Sequence, residues 1–566
     1  MKMSRRAAIR TAVTTACALP WLPLVGAAES GLRTVEVETT LGSVEGRRRE
    51  GVCVFKGIPY GASTAGSGRF RPPRPAEPWS GSLPAFVDPP EAPQRDPSAT
   101  AGTATPGIAS PNPFESLDPD WPVLLESEDC LKLDVWTPAA DHRRRPVMMY
   151  FHGGGFAVGS AGGGWQSGAG LSRLGDVVFV SPNHRLNVLG HLFLDRMDSD
   201  FAGAGNAGML DLVLALKWVR DNISRFGGDP GNVTLIGQSG GGQKISMLLA
   251  MPEAAGLFHK AIIMSGPAPK ALEPAYAEDM AARLLGKLGI ERNALPRLQA
   301  LPLRSIMEAY FAVFRETGGF GVLGILQGFA PVVDGTNLPH HPFFGSAPRA
   351  TAGVPLIIGT TRTEMTLNTL IDDPNAWKMG GQGLHSNLST LFGSETDGVI
   401  HAYQGHHPRA SAWELYGLIT ADWPTRLYSL WIAEAKARLG QAPVFMYRTD
   451  WQTPVAGGKL MSPHAIDLSI ALEDARYTST FDGGGPKVEG LSHQISTAWL
   501  RFARHGAPNS TLLPAWPRYE PQSGRATMLF NTESRVADDP DGADRRAMEQ
   551  ILAQQGKAPP GYGTGA

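Results

Sequence analysis

An apolar run that stops at a glycine-flanked serine is the feature that most constrains the fold of this chain. Residues 233–236 are Val-Thr-Leu-Ile, which suits a strand buried on both faces, and residues 243–249 can continue as a helix. Gly237 and Gly241 lie two positions before and after Ser239. A turn this tight leaves no room for side chains at those two positions, so the sequence predicts a strand–turn–helix elbow with Ser239 at its corner. The alternative is a glycine-rich loop with an incidental serine. A motif this short cannot distinguish the two, so the other segments of the chain have to decide.

Further apolar segments of strand length recur along the chain, separated by helical or irregular stretches. They are residues 131–136, 147–151, 177–180, 233–236, 261–264, 356–358 and 444–447. Uniformly apolar strands that alternate with helices are typical of a mainly parallel sheet covered by helices on both faces. A serine elbow at the carboxyl edge of such a sheet is typical of the α/β-hydrolase fold. The sequence therefore predicts this α/β fold.

The segments between the strands complete the predicted organisation. Residues 209–226 are apolar nearly all round and predict a helix buried against the sheet. Residues 271–350 and 372–441 are more weakly patterned, and we interpret them as helical excursions over the active rim. Residues 89–113 are rich in Pro, Ala, Ser, Thr and Gly and predict a long surface loop. Because no internal repeat or linker divides the chain, residues 29–566 are predicted to form a single domain.

The amino terminus is a different kind of sequence. Four basic residues precede position 11, and residues 11–28 carry no charge and end in small residues. This pattern predicts an export signal over residues 1–28, removed by cleavage after Ala27 or Ala28. The mature protein is accordingly expected to be exported, either to the periplasm or to the medium.

Two features bear on the export route. Arg5 and Arg6, followed by a weakly apolar run, favour a twin-arginine signal, while Ala8 stands where that signal usually has an aromatic residue. The general secretory route therefore stays open. A membrane anchor is the other interpretation, but Pro20 and Pro23 interrupt the run and its length is marginal for a span.

Composition excludes several classes of partner. The formal net charge is −2, and the chain has no basic stripe, so nothing favours nucleic acid or an anionic membrane as a partner of the mature protein. Of three cysteines, Cys53 and Cys130 lie outside the predicted signal, so one disulfide is allowed but not required. Cys130 has no His or Cys at ligand spacing, which argues against a metal site. We predict no metal and no cofactor. The sequence makes no prediction of the oligomeric state.

A serine hydroxyl becomes a good nucleophile only when a base removes its proton and a third group orients that base. In open α/β sheets, ligands bind outside the carboxyl ends of the strands. Glu364 follows the strand at residues 356–358, and His464 follows the strand at residues 444–447. The order serine, acid, histidine is also the one used by this fold. The sequence therefore predicts Ser239, Glu364 and His464 as the catalytic residues.

Competing candidates exist for the acid and the base. Asp467 lies close to His464 in the sequence, and Asp334 is a second alternative acid. His493 and His505 are alternative bases, but both fall in a helical pattern rather than in a loop after a strand.

A second glycine-rich segment follows the strand at residues 147–151. Residues 151–156 read Phe-His-Gly-Gly-Gly-Phe, and successive glycines let backbone N–H groups converge without interference from side chains. Such donors, together with the N–H of Gly240, could stabilise the oxyanion of a tetrahedral intermediate. The alternative is a phosphate-binding loop, but the segment lacks the Lys-Ser/Thr ending of a P-loop and G-x-G-x-x-G spacing.

With these segments in place, the chain resembles the type B carboxylesterases, a family of α/β hydrolases that includes cholinesterases and para-nitrobenzyl esterases. The resemblance covers nearly all of the mature sequence and is carried by residues 55–60, 127–131, 152–156, 183–186, 226–230, 237–241 and 359–364. It implies a triad of Ser239, Glu364 and His464. It also implies an oxyanion hole made by Gly154, Gly155 and Gly240.

The resemblance carries three further implications. Residues 92–94 lack the cysteine that pairs in relatives with the one at position 130, so Cys130 is expected to be free. Glu128 and Arg185 are expected to form a buried ion pair. Gln238 stands where a glutamate is usual, so a weaker preference for quaternary ammonium esters is expected.

The predicted function is hydrolysis of a small-molecule carboxylic ester through an acyl-serine intermediate. Two alternatives stay open: a non-catalytic adhesion or binding protein of the same fold, and an amide or carbamate hydrolase with the same triad. The residues that bind the acyl and alcohol groups are not identified by the sequence.

Overall fold

Thirteen strands form one sheet in the computed structural model, which describes residues 33–98, 124–319 and 325–559. The strands are β1 (Thr34–Glu38), β2 (Ser43–Arg49), β3 (Val52–Pro59), β4 (Ser82–Pro84), β5 (Lys132–Thr137), β6 (Arg145–Phe151), β7 (Val178–Pro182), β8 (Gly228–Gln238), β9 (Lys260–Met264), β10 (Leu356–Thr361), β11 (Val444–Thr449), β12 (Ala526–Phe530) and β13 (Arg535–Asp538). The predicted export signal and residues 99–113 of the predicted loop lie outside the described residues.

The centre of the sheet is parallel and its two edges are antiparallel. The strand order is β1-β2-β3-β5-β7-β6-β8-β9-β10-β11-β12-β13, with β4 paired to β2. Every pair from β7 to β12 is parallel, whereas β1 to β5 and β13 pair antiparallel, apart from the parallel β2–β4 pair. Parallel strands require crossover connections, which the helices between them supply. The predicted mainly parallel sheet is confirmed.

Sixteen α-helices lie among the described residues. They are α1 (Ala169–Gly175), α2 (Asn187–His191), α3 (Ala207–Asn222), α4 (Gly240–Ala250), α5 (Pro274–Leu288), α6 (Pro296–Ala300), α7 (Leu303–Glu316), α8 (Thr366–Asp372), α9 (Gly381–Phe392), α10 (Thr396–His406), α11 (Ala412–Ala421), α12 (Leu427–Arg438), α13 (Ile466–Ala471), α14 (Ser479–Asp482), α15 (Gly485–His505) and α16 (Gly542–Gln554). The two weakly patterned regions contain helices, as expected: α5 to α7 lie in the first and α9 to α12 in the second. Residues 325–350 of the first region form no helix.

Helices cover both faces of the sheet because its central strands are apolar on both. In β6, Val147 and Met149 belong to one apolar cluster, while Met148 and Tyr150 belong to another. Alternate side chains of a strand point to opposite faces, so each cluster marks one face. The first contains residues of α3, α4 and α12, and the second contains residues of α13 and α15. The sheet is therefore the middle layer of three.

One expected contact is wrong. Arg185 does not pair with Glu128: its guanidinium lies 2.6 Å from the carboxylate of Asp211 on α3, and both side chains are buried. Glu128 instead pairs with Arg69 at 2.5 Å. The partners are separated by 26 and 59 residues, so only the packing of the chain determines which charges meet. Cys130 is free, as expected, and so is Cys53.

Candidate active site

The elbow has the geometry that its glycines predicted. β8 ends at Gln238, α4 begins at Gly240, and Ser239 between them has φ 57° and ψ −124°. A Cβ on Gly241 would lie 1.9 Å from the carbonyl oxygen of Phe151, and one on Gly237 would lie 2.5 Å from the backbone of Gly241. No larger residue fits at either position without moving the backbone. The strain at Ser239 is of the kind found at the nucleophile of this fold.

Glu364 and His464 meet although 100 residues separate them. Nδ1 of His464 lies 2.6 Å from Oε2 of Glu364, and the two side chains are 7% and 0% exposed. The other carboxylate oxygen, Oε1, accepts a hydrogen bond from the backbone N–H of Thr361 at 2.8 Å. A carboxylate at Nδ1 keeps the proton on that nitrogen, so that Nε2 carries the lone pair with which the ring can act as a base.

Two loops are joined so that this contact is maintained. The backbone N–H of His464 donates to the carbonyl oxygen of Glu364 at 2.9 Å. Thr363 Oγ1 donates to the carbonyl oxygen of Ser462 and accepts from its N–H, both at 2.9 Å. Because β10 and β11 are adjacent parallel strands, the loops that follow them leave the sheet side by side.

The residue before the serine also belongs to the site. Nε2 of the Gln238 side chain lies 3.2 Å from Nε2 of His464, and Gln238 is 1% exposed. A Cβ on Gly153 would lie 3.5 Å from Oε1 of Gln238 and 3.5 Å from Cβ of Ser239. The amide of Gln238 therefore lies between the histidine and the glycine loop. The sequence singled out Gln238 only for its missing charge, and nothing in the sequence indicated its contact with the histidine.

The glycine loop lies against the elbow. Phe151 at the end of β6 pairs with Gly237, so residues 152–155 leave the sheet beside Ser239. Gly154 and Gly155 have φ values of 80° and 61°, which favour glycine. A Cβ on Gly240 would lie 2.3 Å from the backbone nitrogen of Gly155, so the backbones are in close contact.

The three predicted donors are available. The N–H of Gly240 is the first in α4 and has no acceptor within the helix. Within the part of the chain that the structure describes, the N–H groups of Gly154 and Gly155 have no protein acceptor either. Unpaired N–H groups this close to a serine are suited to binding a negatively charged oxygen.

The competing acids hold structural positions. Asp467 is buried behind the pair and accepts a hydrogen bond from the hydroxyl of Tyr447 at 2.8 Å. Burial, reinforced by the charge of Glu364, raises the pKa of Asp467 to about 6. Asp334 accepts hydrogen bonds from Asn206 and Asn337, each side chain donating to its Oδ2.

The competing bases lie outside the site. His493 is half-exposed and lies 3.5 Å from Glu473, and His505 is the exposed last residue of α15. Over residues 33–98, 124–319 and 325–559, no cluster of three or more His, Cys, Asp or Glu residues is placed to hold a metal ion. Among the same residues, no helix is long and apolar enough to cross a membrane.

A mainly parallel sheet with a strained serine elbow, a buried carboxylate–histidine pair and a glycine loop at one rim defines an α/β hydrolase of the serine type. The profile described as "Carboxylesterase family" matches residues 33–546. The chain belongs to this family, and it is a carboxylic-ester hydrolase.

Individual relatives extend over nearly the whole chain. The para-nitrobenzyl esterase of Bacillus subtilis is 33% identical, with 90% of this chain and 98% of that protein aligned. The phenmedipham hydrolase of Pseudarthrobacter oxydans is 32% identical, with 88% of this chain and 96% of that protein aligned. The crystal structure of a Geobacillus stearothermophilus carboxylesterase superposes with a TM-score of 0.74 at 35% identity, covering 90% of this chain and 99% of that one.

Proposed function

We propose that Ser239, His464 and Glu364 form the catalytic triad of this esterase, and that Gly154, Gly155 and Gly240 form its oxyanion hole. The observation that carries the proposal is the 2.6 Å contact between Nδ1 of His464 and Oε2 of Glu364 beside the strained elbow. A bonded Glu364 orients the ring and stabilises the imidazolium that forms during the reaction.

The reaction proceeds in two halves. Oγ of Ser239 attacks the ester carbonyl while Nε2 of His464 takes its proton, and the oxyanion is bound by the three glycine N–H groups. The imidazolium then protonates the departing alcohol, which leaves Ser239 acylated. His464 next removes a proton from water as the water attacks the acyl carbonyl, which gives a second oxyanion intermediate. Its collapse breaks the bond to Oγ of Ser239, His464 returns the proton to that oxygen, and the acid is released.

A substrate screen tests the proposal. Purified protein is assayed with aryl esters of graded acyl length and with matched aryl amides and carbamates. Phenmedipham is included because one relative is named a phenmedipham hydrolase. Ser239→Ala is the blank. The expected result is ester hydrolysis that Ser239→Ala abolishes. Retention of turnover by Ser239→Ala would show that Ser239 is not the nucleophile.

Export and domain organisation belong to the same proposal. Residues 1–28 act as the export signal, which leaves a single domain from residue 29 to residue 566 in the periplasm or the medium. The compact unit that begins at Thr34 supports the boundary. Mass spectrometry of the exported protein is expected to find Ala28 or Glu29 at the amino terminus, and an intact Met1 or a lipid on Cys17 would contradict this.

A further inference from the structure

A buried lysine lies directly behind the glycine loop. Lys244 is on α4, five residues after Ser239, and its side chain is 0% exposed. Its Nζ donates a hydrogen bond to the carbonyl oxygen of His152 at 2.8 Å. His152 immediately precedes the three glycines of the loop. Lys244 therefore connects the helix that begins with Gly240 to the loop that carries Gly154 and Gly155.

Lys244 has no counter-charge within ion-pair distance among the residues that the structure describes. Its Nζ lies 5.8 Å from the ring centroid of Phe156, and within the described ranges no carboxylate forms an ion pair with it. Three buried histidines, His152, His184 and His191, are close enough for the charge of Lys244 to lower the pKa of each, although burial is the larger cause. Burying an unpaired ammonium is costly, so a lysine at this position requires an explanation.

Burial also holds the pKa of Lys244 well below its usual range. The hydrogen bond to His152 does not depend on the charge, however, because a neutral amine still carries two N–H donors. His152 places its Nδ1 2.9 Å from the carbonyl oxygen of Gly153, and His184 places its Nδ1 2.8 Å from that of Arg185. These Nδ1 atoms contact the carbonyl oxygens of Gly153 and Arg185, whereas the carbonyl oxygen of His152 accepts from Lys244.

The glycine loop needs such a connection because it has no side chains of its own to hold it. Glycine reaches more backbone conformations than any other residue, so three in succession do not define where their N–H groups point. After the glycines, the N–H groups of Ala157 and Val158 bond to the carbonyl oxygen of Gly154 at 3.2 and 3.1 Å. Before the glycines, the bond from Lys244 holds the carbonyl of His152. The loop is thus anchored on both sides of Gly153.

We propose that Lys244 is a positioning residue for the oxyanion hole, holding the loop so that the N–H groups of Gly154 and Gly155 stay aligned with that of Gly240. This rests on the proposed function, since it concerns the same hole. Donors that are displaced bind the oxyanion less well but leave the ground-state ester almost unaffected. Loss of Lys244 should therefore lower kcat and leave KM nearly unchanged.

The test compares two ketones of the same shape in wild type and Lys244→Met. An aryl trifluoromethyl ketone adds to the serine and forms an oxyanion, whereas its methyl ketone counterpart binds largely as the unreacted ketone. We expect Lys244→Met to weaken binding of the trifluoromethyl ketone and to lower kcat by about 10- to 100-fold. This is less than the roughly 100- to 1000-fold cost of removing an oxyanion-hole donor outright, because the donors are displaced and not lost. Methyl ketone affinity and KM should change less than about threefold. Lys244→Arg, which keeps a donor, should recover part of both losses.

Lys436 supplies the matched control, because it is also a buried lysine whose Nζ donates to backbone carbonyls, those of Thr351 and Ala352. Lys436→Met should lower Tm and leave the ratio of the two ketone affinities unchanged. The proposal is overturned if Lys244→Met lowers Tm without changing kcat or the ketone affinities. It is also overturned if Lys244→Met weakens the binding of both ketones by the same factor. If Lys244→Met does not fold, Lys244→Gln is measured against Lys244→Arg with the same criteria. If the trifluoromethyl ketone fails to inhibit the wild-type protein, that result would instead contradict the proposed function.

Discussion

The side-chain nitrogen of Gln238 lies 3.2 Å from Nε2 of His464, the ring atom that has to take the proton of Ser239. With Glu364 at Nδ1, Nε2 carries a lone pair, to which the amide of Gln238 can donate. The amide of Gln238 therefore competes with the hydroxyl of Ser239 for the same lone pair. A neutral amide cannot attract a proton to the ring as a carboxylate would.

We therefore expect Gln238→Glu to move the pH–rate profile to higher pH. A carboxylate beside Nε2 favours a positively charged ring, and only the neutral ring can take the proton of Ser239. The displacement should be about one pH unit, measured as kcat/KM between pH 5 and 9. Gln238→Met, which is similar in size and uncharged, is the control and should not move the profile upwards. Identical profiles for Gln238→Glu and wild type would contradict this.

Substrate charge provides a second prediction at the same residue. Wild type should hydrolyse a neutral ester with a higher kcat/KM than a choline ester of matched acyl length, because Gln238 carries no charge that would favour a cation. Gln238→Glu should shift the ratio towards the choline ester. The measurement is the ratio of the two kcat/KM values. A choline preference in wild type that persists whatever stands at position 238 would place cation recognition elsewhere.

The triad is expected to act as a unit. Ser239→Ala and His464→Ala should each lower kcat by several orders of magnitude, and the double variant should lose little more than either, since each removes the same step. Glu364→Gln should cost on the order of 10³- to 10⁴-fold, because the wrong histidine tautomer is then favoured. Single-turnover assays with an aryl ester measure all four. Additive losses in the double variant would show that the two residues act separately.

The buried pair of Arg185 and Asp211 makes a prediction about stability. Arg185→Met should lower the free energy of unfolding by about 3 to 5 kcal/mol, because Asp211 is left buried and unpaired. Adding Asp211→Leu should restore much of the loss, whereas adding Glu128→Gln should not. Urea unfolding of the three variants distinguishes the partners. Rescue by Glu128→Gln would mean that the pairing described here is wrong.

Asp134 predicts how stability depends on pH. It is 0% exposed, Oδ1 accepts from the N–H of Gly57 at 2.8 Å, and burial raises its pKa to about 7. The folded protein then holds a proton that the unfolded chain releases near pH 4, so stability falls between about pH 4 and 7. Asp134→Asn should remove this fall and stabilise the protein at pH 8 by on the order of 4 kcal/mol, with little effect at pH 4.

Unfolding measured at both pH values checks this prediction. The exposed Asp221 supplies the control, since Asp221→Asn should change stability little at either pH. Equal effects of Asp134→Asn at pH 4 and pH 8 would mean that folding does not raise the pKa of Asp134.

The predictions made from the sequence succeeded where the constraint was local. Gly237 and Gly241 predicted the elbow because a Cβ at either position meets backbone, which is a property of the turn itself. The apolar strands predicted a mainly parallel sheet because burial on both faces requires apolar side chains at every position. The helix predicted at residues 209–226 is slightly shorter, since α3 ends at Asn222 and a 3-10 turn follows.

Contacts between distant segments could not be obtained in this way. The order of residues along the chain predicts Glu364 and His464 as candidates, but not their contact. Their side chains lie 2.6 Å apart because β10 and β11 are paired in the sheet. Arg185 was assigned to Glu128, but its partner is Asp211, because the choice depends on which carboxylate the fold buries beside it.

By itself, then, the sequence determined the elements whose physical cause is local: the serine turn, the glycine loop and the period of the apolar strands. Tertiary structure alone decided that Gln238 reaches the histidine and that Lys244 reaches the carbonyl of His152. The reason is that a hydrogen bond between buried groups depends on distances of a few tenths of an ångström, which are established only when the layers pack and exclude water.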